Sequence, residues 1–298
     1  MSTEPKKFYF NNSSVPLLAC SRQYKYTVID GAIPSPGKIK AFKIGLTFHH
    51  FMKLIGTPGH DLLTLMNNDK LWYPDAASLD RSFVLQLAVA SNRMHSEHPE
   101  LFADCIRERF FEVPAITDDR DLIQPIDCGT GDLLSYIPST RTVRITDYKT
   151  TSEPIDGNLV NKYNLSAQRF FYEMKYIDMA ADPHSNFLPP HFKDAINNQR
   201  LEFAYWFYSH KTDADFLCPH TLTNYKRIAE FRALFDEKRE LASYLHLNPD
   251  QTAKEGVVLN LCRYCAYTSI CGLHDEKLEA EQFAKWPYGF KPYYPKHD

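Results

Sequence analysis

Asp132, Asp147 and Lys149 are the side chains in this sequence best placed to hold and use a divalent cation. They lie in the segment 129–151, which splits into two strand-like runs, Asp132–Ile137 and Thr142–Tyr148, joined by a Pro-Ser-Thr turn. Runs rich in Val, Ile, Leu, Thr and Tyr, separated by a few turn residues, read as a β-hairpin. With the turn centred between Ser139 and Thr140, partner numbers sum to 279. Asp132 then faces Asp147, Leu134 faces Ile145 and Tyr136 faces Val143. Opposed side chains on one face stand about 4.5–5.5 Å apart, and opposed like charges are destabilising. Lys149 follows Asp147 by two residues, so the pleat turns it to the same face. A divalent cation converts that repulsion into coordination. Without one, the same triplet is a solvated hairpin end, and Asp-x-Lys alone is a common sequence.

Other elements must surround such a hairpin. A helical pattern starts at Gly45, ends before Gly56 and carries His49 and His50 inside an apolar run. Adjacent helical residues point about 100° apart, so at most one of the two serves a given site. Residues 58–108 read as mostly helical, with 99–110 as one amphipathic segment, and are expected to be scaffold or lid. Phe110–Ile116 reads as a strand leading to the hairpin, and Leu201–Ser209 as a second, strongly aromatic one. Asn161–Ala181 reads as a helix whose Gln168 and Tyr172 stack four residues apart, and Leu222–Leu247 as a long charged helix. Residues 1–20 look irregular. Beyond them Arg22, Tyr24, Lys25 and Tyr26 either touch phosphate and base or form a solvated face.

The chain has 298 residues, 44% of them apolar and 14% aromatic, which is enough for a substantial core. A net charge of −3 gives no global nucleic-acid signature, so any such contact needs a local basic groove. No apolar leader and no run of 18 apolar residues occurs, so a soluble, cytoplasmic protein with no membrane contact is expected. No Walker A pattern is present: Gly31 and Gly37 are one residue too far apart, and Ile39 follows Lys38. Seven cysteines, an odd number, argue against a disulfide framework. Cys262, Cys265 and Cys271 crowd together near the C-terminus and point to a metal. Four thiolates suit either structural Zn²⁺ or a [4Fe–4S] cluster. Cys105, Cys128 and Cys218 read as buried apolar residues, with Cys128 a minor rival as ligand.

Taken in order, four motifs resemble the RecB-like branch of the PD-(D/E)XK nucleases: G-x-x-x-H at Gly45–His49, G-x-x-D at Gly129–Asp132, D-Y-K at Asp147–Lys149 and Q-x-x-x-Y at Gln168–Tyr172. Cys20 upstream of the motif histidine, with C-x₂-C-x₅-C at Cys262, Cys265 and Cys271, is similar to the iron–sulfur members. These include CRISPR-associated RecB-like exonucleases, AddB-type nuclease domains and eukaryotic single-strand exonucleases. Asp147 stands where many relatives have Glu. The resemblance spans about Cys20 to Cys271, while 58–108 matches none of these motifs.

The resemblance implies an α/β restriction-endonuclease-like core, a mixed central sheet flanked by helices, with an added helical region and a C-terminal cysteine segment. One elaborated domain over 1–298 is expected, divided into 1–57, 58–108, a nuclease core at 109–215, and 216–298. It further implies that His49, Asp132 and Asp147, with the backbone carbonyl of Tyr148, hold Mg²⁺ or Mn²⁺. Hard oxygen ligands suit Mg²⁺, and an imidazole suits Mn²⁺. Asp132, Asp147 and Lys149 would be catalytic: the cation activates water and polarises phosphate, and Lys149 orients the water and stabilises growing charge. Gln168 and Tyr172 would contact the DNA backbone or organise the metal site. Cys20, Cys262, Cys265 and Cys271 would hold the cluster, with Zn²⁺ as the alternative. The implied activity is a DNA exonuclease favouring single-stranded ends, in repair, recombination, phage DNA processing or CRISPR adaptation, with a helicase or another DNA-processing protein as candidate partner. The rivals are a non-catalytic DNA-binding module that keeps the fold, and a flap endonuclease.

Overall fold

Strands in this chain follow alternating or continuous apolar runs, and a computed structural model places them in one mixed sheet. It describes residues 6–11, 18, 20–32, 39–114, 123–164, 166–251, 267, 280–281, 283–285 and 287. The strands are β1 (Lys6–Phe10), β2 (Cys105–Pro114), β3 (Ile123–Ile137), β4 (Thr142–Thr151), β5 (Leu201–Ser209), β6 (Ala214–Leu217) and β7 (Thr221–Leu222). They form a seven-stranded sheet ordered β1-β3-β4-β5-β6, with β2 paired to β3 and β7 paired to β5. The helices are α1 (Ser21–Tyr24), α2 (Ile39–Leu54), α3 (Leu62–Asn67), α4 (Arg81–Glu97), α5 (Gly157–Asn164), α6 (Ala167–Ala181), α7 (Pro190–Asn197) and α8 (Tyr225–Leu247). This is an α/β fold consistent with the restriction-endonuclease-like core.

The hairpin register is the one anticipated. Leu134 pairs with Ile145 and Tyr136 with Val143. β5 lies parallel to β4, setting Asp147 beside Tyr205 and Lys149 beside Phe207. A parallel neighbour requires a crossover, and α5, α6 and α7 provide it. Apart from Glu202, every residue of β5 is buried, as expected of a strand covered on both faces.

The chain forms two compact units, one made of 1–39, 112–128 and 232–298, the other of 40–111 and 129–231. In the first, β1 runs parallel to 123–127, Phe8 stacks on His246 at 4.1 Å, and Arg239 pairs with buried Asp127 at 2.7 Å. In the second, α2 and α4 share a core with the sheet. Val84, Leu87, Ala88, Ser91 and Met94 line one stripe of α4, at the spacing of an amphipathic helix. The apolar four of these join Phe48 and Phe51 of α2 and Leu133, Tyr148 and Trp206 of the sheet in one cluster. Asp80 caps α4 by accepting from the Ser82 and Phe83 amides. Peeling α4 from the sheet would expose several large side chains at about 1.5–3 kcal/mol each. Residues 81–97 are therefore scaffold.

Several boundaries differ from expectation. The N-terminal stretch contains β1 and is not wholly irregular, because Phe8 and Phe10 are buried beside β3. Helix α2 begins at Ile39 and runs through Gly45, where a Cβ would sit 3.7 Å from Thr150 Oγ1. Segment 99–110 is a short 3₁₀ turn at Pro99–Leu101 followed by β2, so that strand starts five residues earlier than Phe110. The helix over 161–181 divides into α5 and α6, with Ser166 extended (ψ 142°) and its hydroxyl 2.8 Å from Tyr205 Oη. Leu222 pairs with Glu202 in β7, which delays α8 to Tyr225. Tyr24 and Tyr26 are buried, so neither phosphate-and-base contact nor a solvated face describes them. Among the described residues no helix is long and apolar enough to cross a membrane.

The glycines of β3 are explained by what lies over them. A Cβ on Gly129 would fall 2.9 Å from the Phe111 ring, and one on Gly131 would fall 1.9 Å from the Tyr176 hydroxyl. Gly131→Ala should therefore lower stability by about 1–3 kcal/mol in denaturant unfolding, as overpacking does. Tyr176→Phe in the same chain should recover part of that loss.

Candidate active site and metal centre

Asp132 is the anchor of the site. It lies near the end of the β3–β4 ladder, 6% exposed, where its Oδ2 accepts the Tyr148 backbone N–H at 2.7 Å. In an extended strand a residue's N–H and C=O point to the same edge, so the Tyr148 carbonyl is also directed towards β3. Helix α2 brings His49 to the other carboxylate oxygen, with Nδ1 3.3 Å from Asp132 Oδ1. His50 points elsewhere and donates from Nε2 to the Leu71 carbonyl at 2.8 Å. One histidine of the pair serves the site, as helical geometry requires.

Glu108 joins this group, and the sequence reasoning missed it. Its Oε1 lies 2.9 Å from His49 Nδ1. Among the described residues His49, Glu108 and Asp132 can bring one ligand atom each within 4.8 Å of one another. Glu108 sits in β2 with left-handed backbone (φ +42°), a conformation uncommon for a residue with a side chain. It was hidden because 99–110 reads as a helix. The signal that could have found it is the stretch Ile106–Val113, where two β-branched and two aromatic residues stand among four charged ones and Pro114 follows.

Asp147 is 1% exposed and faces a second set of partners. Its Oδ2 forms an ion pair with Lys149 Nζ, and its Oδ1 accepts from Gln168 Nε2 at 3.2 Å. Gln168 also donates to Tyr172 Oη, and the Tyr172 hydroxyl donates to the Thr130 carbonyl at 2.9 Å. Tyr172 is buried, so both residues of the Q-x-x-x-Y motif bond inward around Asp147 and the G-x-x-D stretch of β3.

Electrostatics show what the cluster lacks. Burial, reinforced by Asp132 and Asp147 against the pull of His49, pushes the Glu108 carboxyl up to about 7. Burial likewise pushes Asp147 up to about 7, with Lys149 opposing and Asp132 adding to the rise. Asp132 is also buried, but His49 and Lys149 outweigh that and hold it below the usual value. Burial disfavours charge on His49, yet Asp132 and Glu108 raise it well above an ordinary histidine. Burial opposes charge on Lys149 too, and Asp147 and Asp132 raise it in spite of this. Lys149 is therefore an ammonium at neutral pH. Once the protons on Glu108, Asp147 and His49 are displaced, three carboxylates facing one ammonium and a neutral His49 would leave two negative charges in a buried site. A divalent cation matches that charge, and the oxygen-rich set with one imidazole suits Mg²⁺ or Mn²⁺.

Among the described residues no cysteine joins His49, Glu108 and Asp132. Cys128 and Cys218 are buried, and burial first of all holds their thiols up to about 12 and about 11, which keeps them protonated. Cys105 is half-buried and donates to the Phe102 carbonyl at 3.4 Å. Cys20 is buried at the head of α1. Cys262, Cys265 and Cys271 lie outside the described residues.

Two outcomes follow from this geometry. Glu108→Gln should weaken Mn²⁺ binding roughly 10–100-fold, read by titration calorimetry on the intact chain. The second concerns pH. Raised Glu108, Asp147 and His49 values mean that the metal-free folded state holds protons the unfolded chain has released. Its stability should fall as pH rises from the usual carboxylate range, 3.8 to 4.5, through about 7. A cation competes with those protons, so the gain in melting temperature on adding Mn²⁺ should be larger near pH ~8 than near pH ~5.5. Equal gains at both would refute this.

Among known families, the PD-(D/E)XK nuclease superfamily matches residues 16–272, which include Glu108 and every site residue named above. No curated protein matches the chain. The match covers most of the sequence, and the chain belongs to the PD-(D/E)XK nuclease superfamily.

Proposed function

We propose that this protein is a cation-dependent DNA exonuclease acting on single-stranded ends. The observation that carries the hydrolytic part is the meeting of His49, Glu108 and Asp132 beside the Asp147–Lys149 pair at one end of the hairpin. His49, Asp132, Asp147 and the Tyr148 carbonyl are the proposed ligands for Mg²⁺ or Mn²⁺, with Glu108 added to them. When bound, the cation supplies Lewis acidity that polarises the scissile phosphate and lowers the pKa of water.

The chain's own groups do the rest. Lys149, held charged by Asp147, donates to the attacking water and to a phosphate oxygen as negative charge grows there. Being an ammonium, it is a positioning and electrostatic group and not a base. Water adds to phosphorus, the bond to the leaving sugar oxygen breaks, and the buried carboxylates offer acceptors for the water's proton. Gln168 fixes Asp147, and Tyr172 fixes Gln168 and the Thr130 carbonyl. Their inward bonding favours the organising role over direct contact with the DNA backbone.

The preference for single-stranded ends rests on the resemblance to iron–sulfur exonucleases, and the cluster belongs to the same reading. Cys20, Cys262, Cys265 and Cys271 are its proposed ligands, with Zn²⁺ as the alternative. Support comes from Tyr267, which lies in sequence between Cys265 and Cys271. It is buried, edge-on to Tyr26 at 5.5 Å, and donates to the Ala32 carbonyl at 2.7 Å, all just downstream of Cys20. A cytoplasmic setting in DNA repair, recombination, phage DNA processing or CRISPR adaptation, beside a helicase or similar partner, completes the proposal.

Labelled linear and circular single strands, incubated with Mg²⁺ or Mn²⁺, test the activity directly. Linear strands should shorten from an end while circles survive; cutting of circles would make the enzyme an endonuclease. Lys149→Ala should slow degradation about 10²–10³-fold while DNA binding persists. Degradation at the wild-type rate would sink the mechanism. Anaerobically purified protein should be brown, with broad absorption near ~400 nm; a colourless sample with one zinc per chain would replace the cluster by zinc.

A further inference from the structure

The segment between α3 and α4 carries none of the motifs that define the active site, yet it forms a cleft of about 500 Å³. Its wall is Trp72 and Tyr73, its rim is Asp69, Lys70 and Arg81, and Ala76 and Leu79 form its apolar floor. The volume lies in the range of small-ligand sites, about 300–1,000 Å³. The wall is held in place. Trp72 donates from Nε1 to the Leu65 carbonyl at 2.7 Å, which fixes the plane of the indole. Buried Leu65 and Ala76 tie the segment to the core of the second unit.

We infer that this cleft is a subsite for a single-stranded nucleic acid, taking an unpaired base against Trp72 and the adjoining phosphate on Lys70 and Arg81. The Arg81 guanidinium already lies over the indole face, 5.0 Å from its centroid, and pairs with Asp69. Both members of that pair are more than half exposed, at 58% and 55%, and such pairs add little stability in water. Arg81 is thus held only weakly over the indole and can swing to a phosphate, which frees that face for a base. Aromatic faces accept any base, and arginine adds a cation–π contact. In a duplex the base faces are already stacked on one another, so only an unpaired strand can use this wall.

The cleft is braced by the helix that carries His49. His50, the residue after His49 on α2, donates to the Leu71 carbonyl, and its ring lies 6.0 Å from Tyr73. The same helix therefore turns one histidine to the metal centre and braces the cleft with the next. Lys43, earlier on α2, bonds Ser78 Oγ at 2.9 Å, between the lining residues Ala77 and Leu79, and brings a further positive charge to this segment. The assignment rests on the nuclease reading above, and it gives that reading a source of strand preference within this chain.

The test is fluorescence anisotropy with labelled oligo-dT and a matching duplex, using the full chain with Ca²⁺ in place of Mg²⁺. Trp72→Ala should weaken oligo-dT binding about tenfold, Arg81→Ala should weaken it by a smaller factor, and Trp72→Phe should bind like the wild type. Duplex binding and hydrolysis of a small aryl phosphodiester, which reaches only the metal centre, should not change. Arg81 is exposed, so its variant reports even if Trp72→Ala fails to fold. If the wild type binds and degrades single strands and both alanine variants match it within twofold, the cleft assignment is overturned alone. If the wild type neither binds nor degrades them, the nuclease reading falls and takes the cleft with it.

Discussion

Three carboxylates have been brought out of water against their mutual repulsion, and the structure of the second unit is arranged around holding them there. Asp132 accepts a backbone amide from the opposite strand, Asp147 is pinned between Lys149 and Gln168, and Glu108 leans on His49. Each contact offsets part of the desolvation cost and none removes it, so protons occupy the site when no cation does. Hydrogen bonds and ion pairs here do not act chiefly as stability. Removing one partner of a buried charged group typically costs more than the pair contributes, so the cluster depends on all of its members together.

Supporting this requires a dense aromatic layer. Phe111, Phe171, Tyr172 and Tyr176 pack where β2, β3 and α6 meet, with ring centroids about 6 Å apart. Their bulk leaves no room for side chains at Gly129 and Gly131. The G-x-x-D motif is thus a packing rule as much as a chemical one: the glycines let the aromatics sit over β3, and the aromatics exclude water from Asp132. Tyr148 makes the same kind of contact on the other side, edge-on to Phe48 and His49.

What could be read from the sequence was what depends on local periodicity. The β3–β4 register follows from a short turn and two alternating runs, so the convergence of Asp132, Asp147 and Lys149 was legible. β5 was legible as an uninterrupted aromatic strand, and the Gln168–Tyr172 pairing followed from helical spacing. Glu108 was not legible, because its role depends on a contact with a residue 59 positions away and its segment carries helix-forming residues at helical spacing. The same limit hid β1, whose partner lies more than a hundred residues downstream, and the break between α5 and α6, which is set by Ser166 bonding to Tyr205. Tertiary contacts overrode local preference in each case.

The left-handed backbone at Glu108 has a cost of its own. Such a conformation disfavours a residue with a Cβ by about 1–2 kcal/mol, and glycine would adopt it freely. Glycine there would relieve the strain, but it would also strip His49 of a carboxylate partner at 2.9 Å. Glutamate at this position marks the candidate metal site as a place where backbone comfort is given up for the contacts of one side chain.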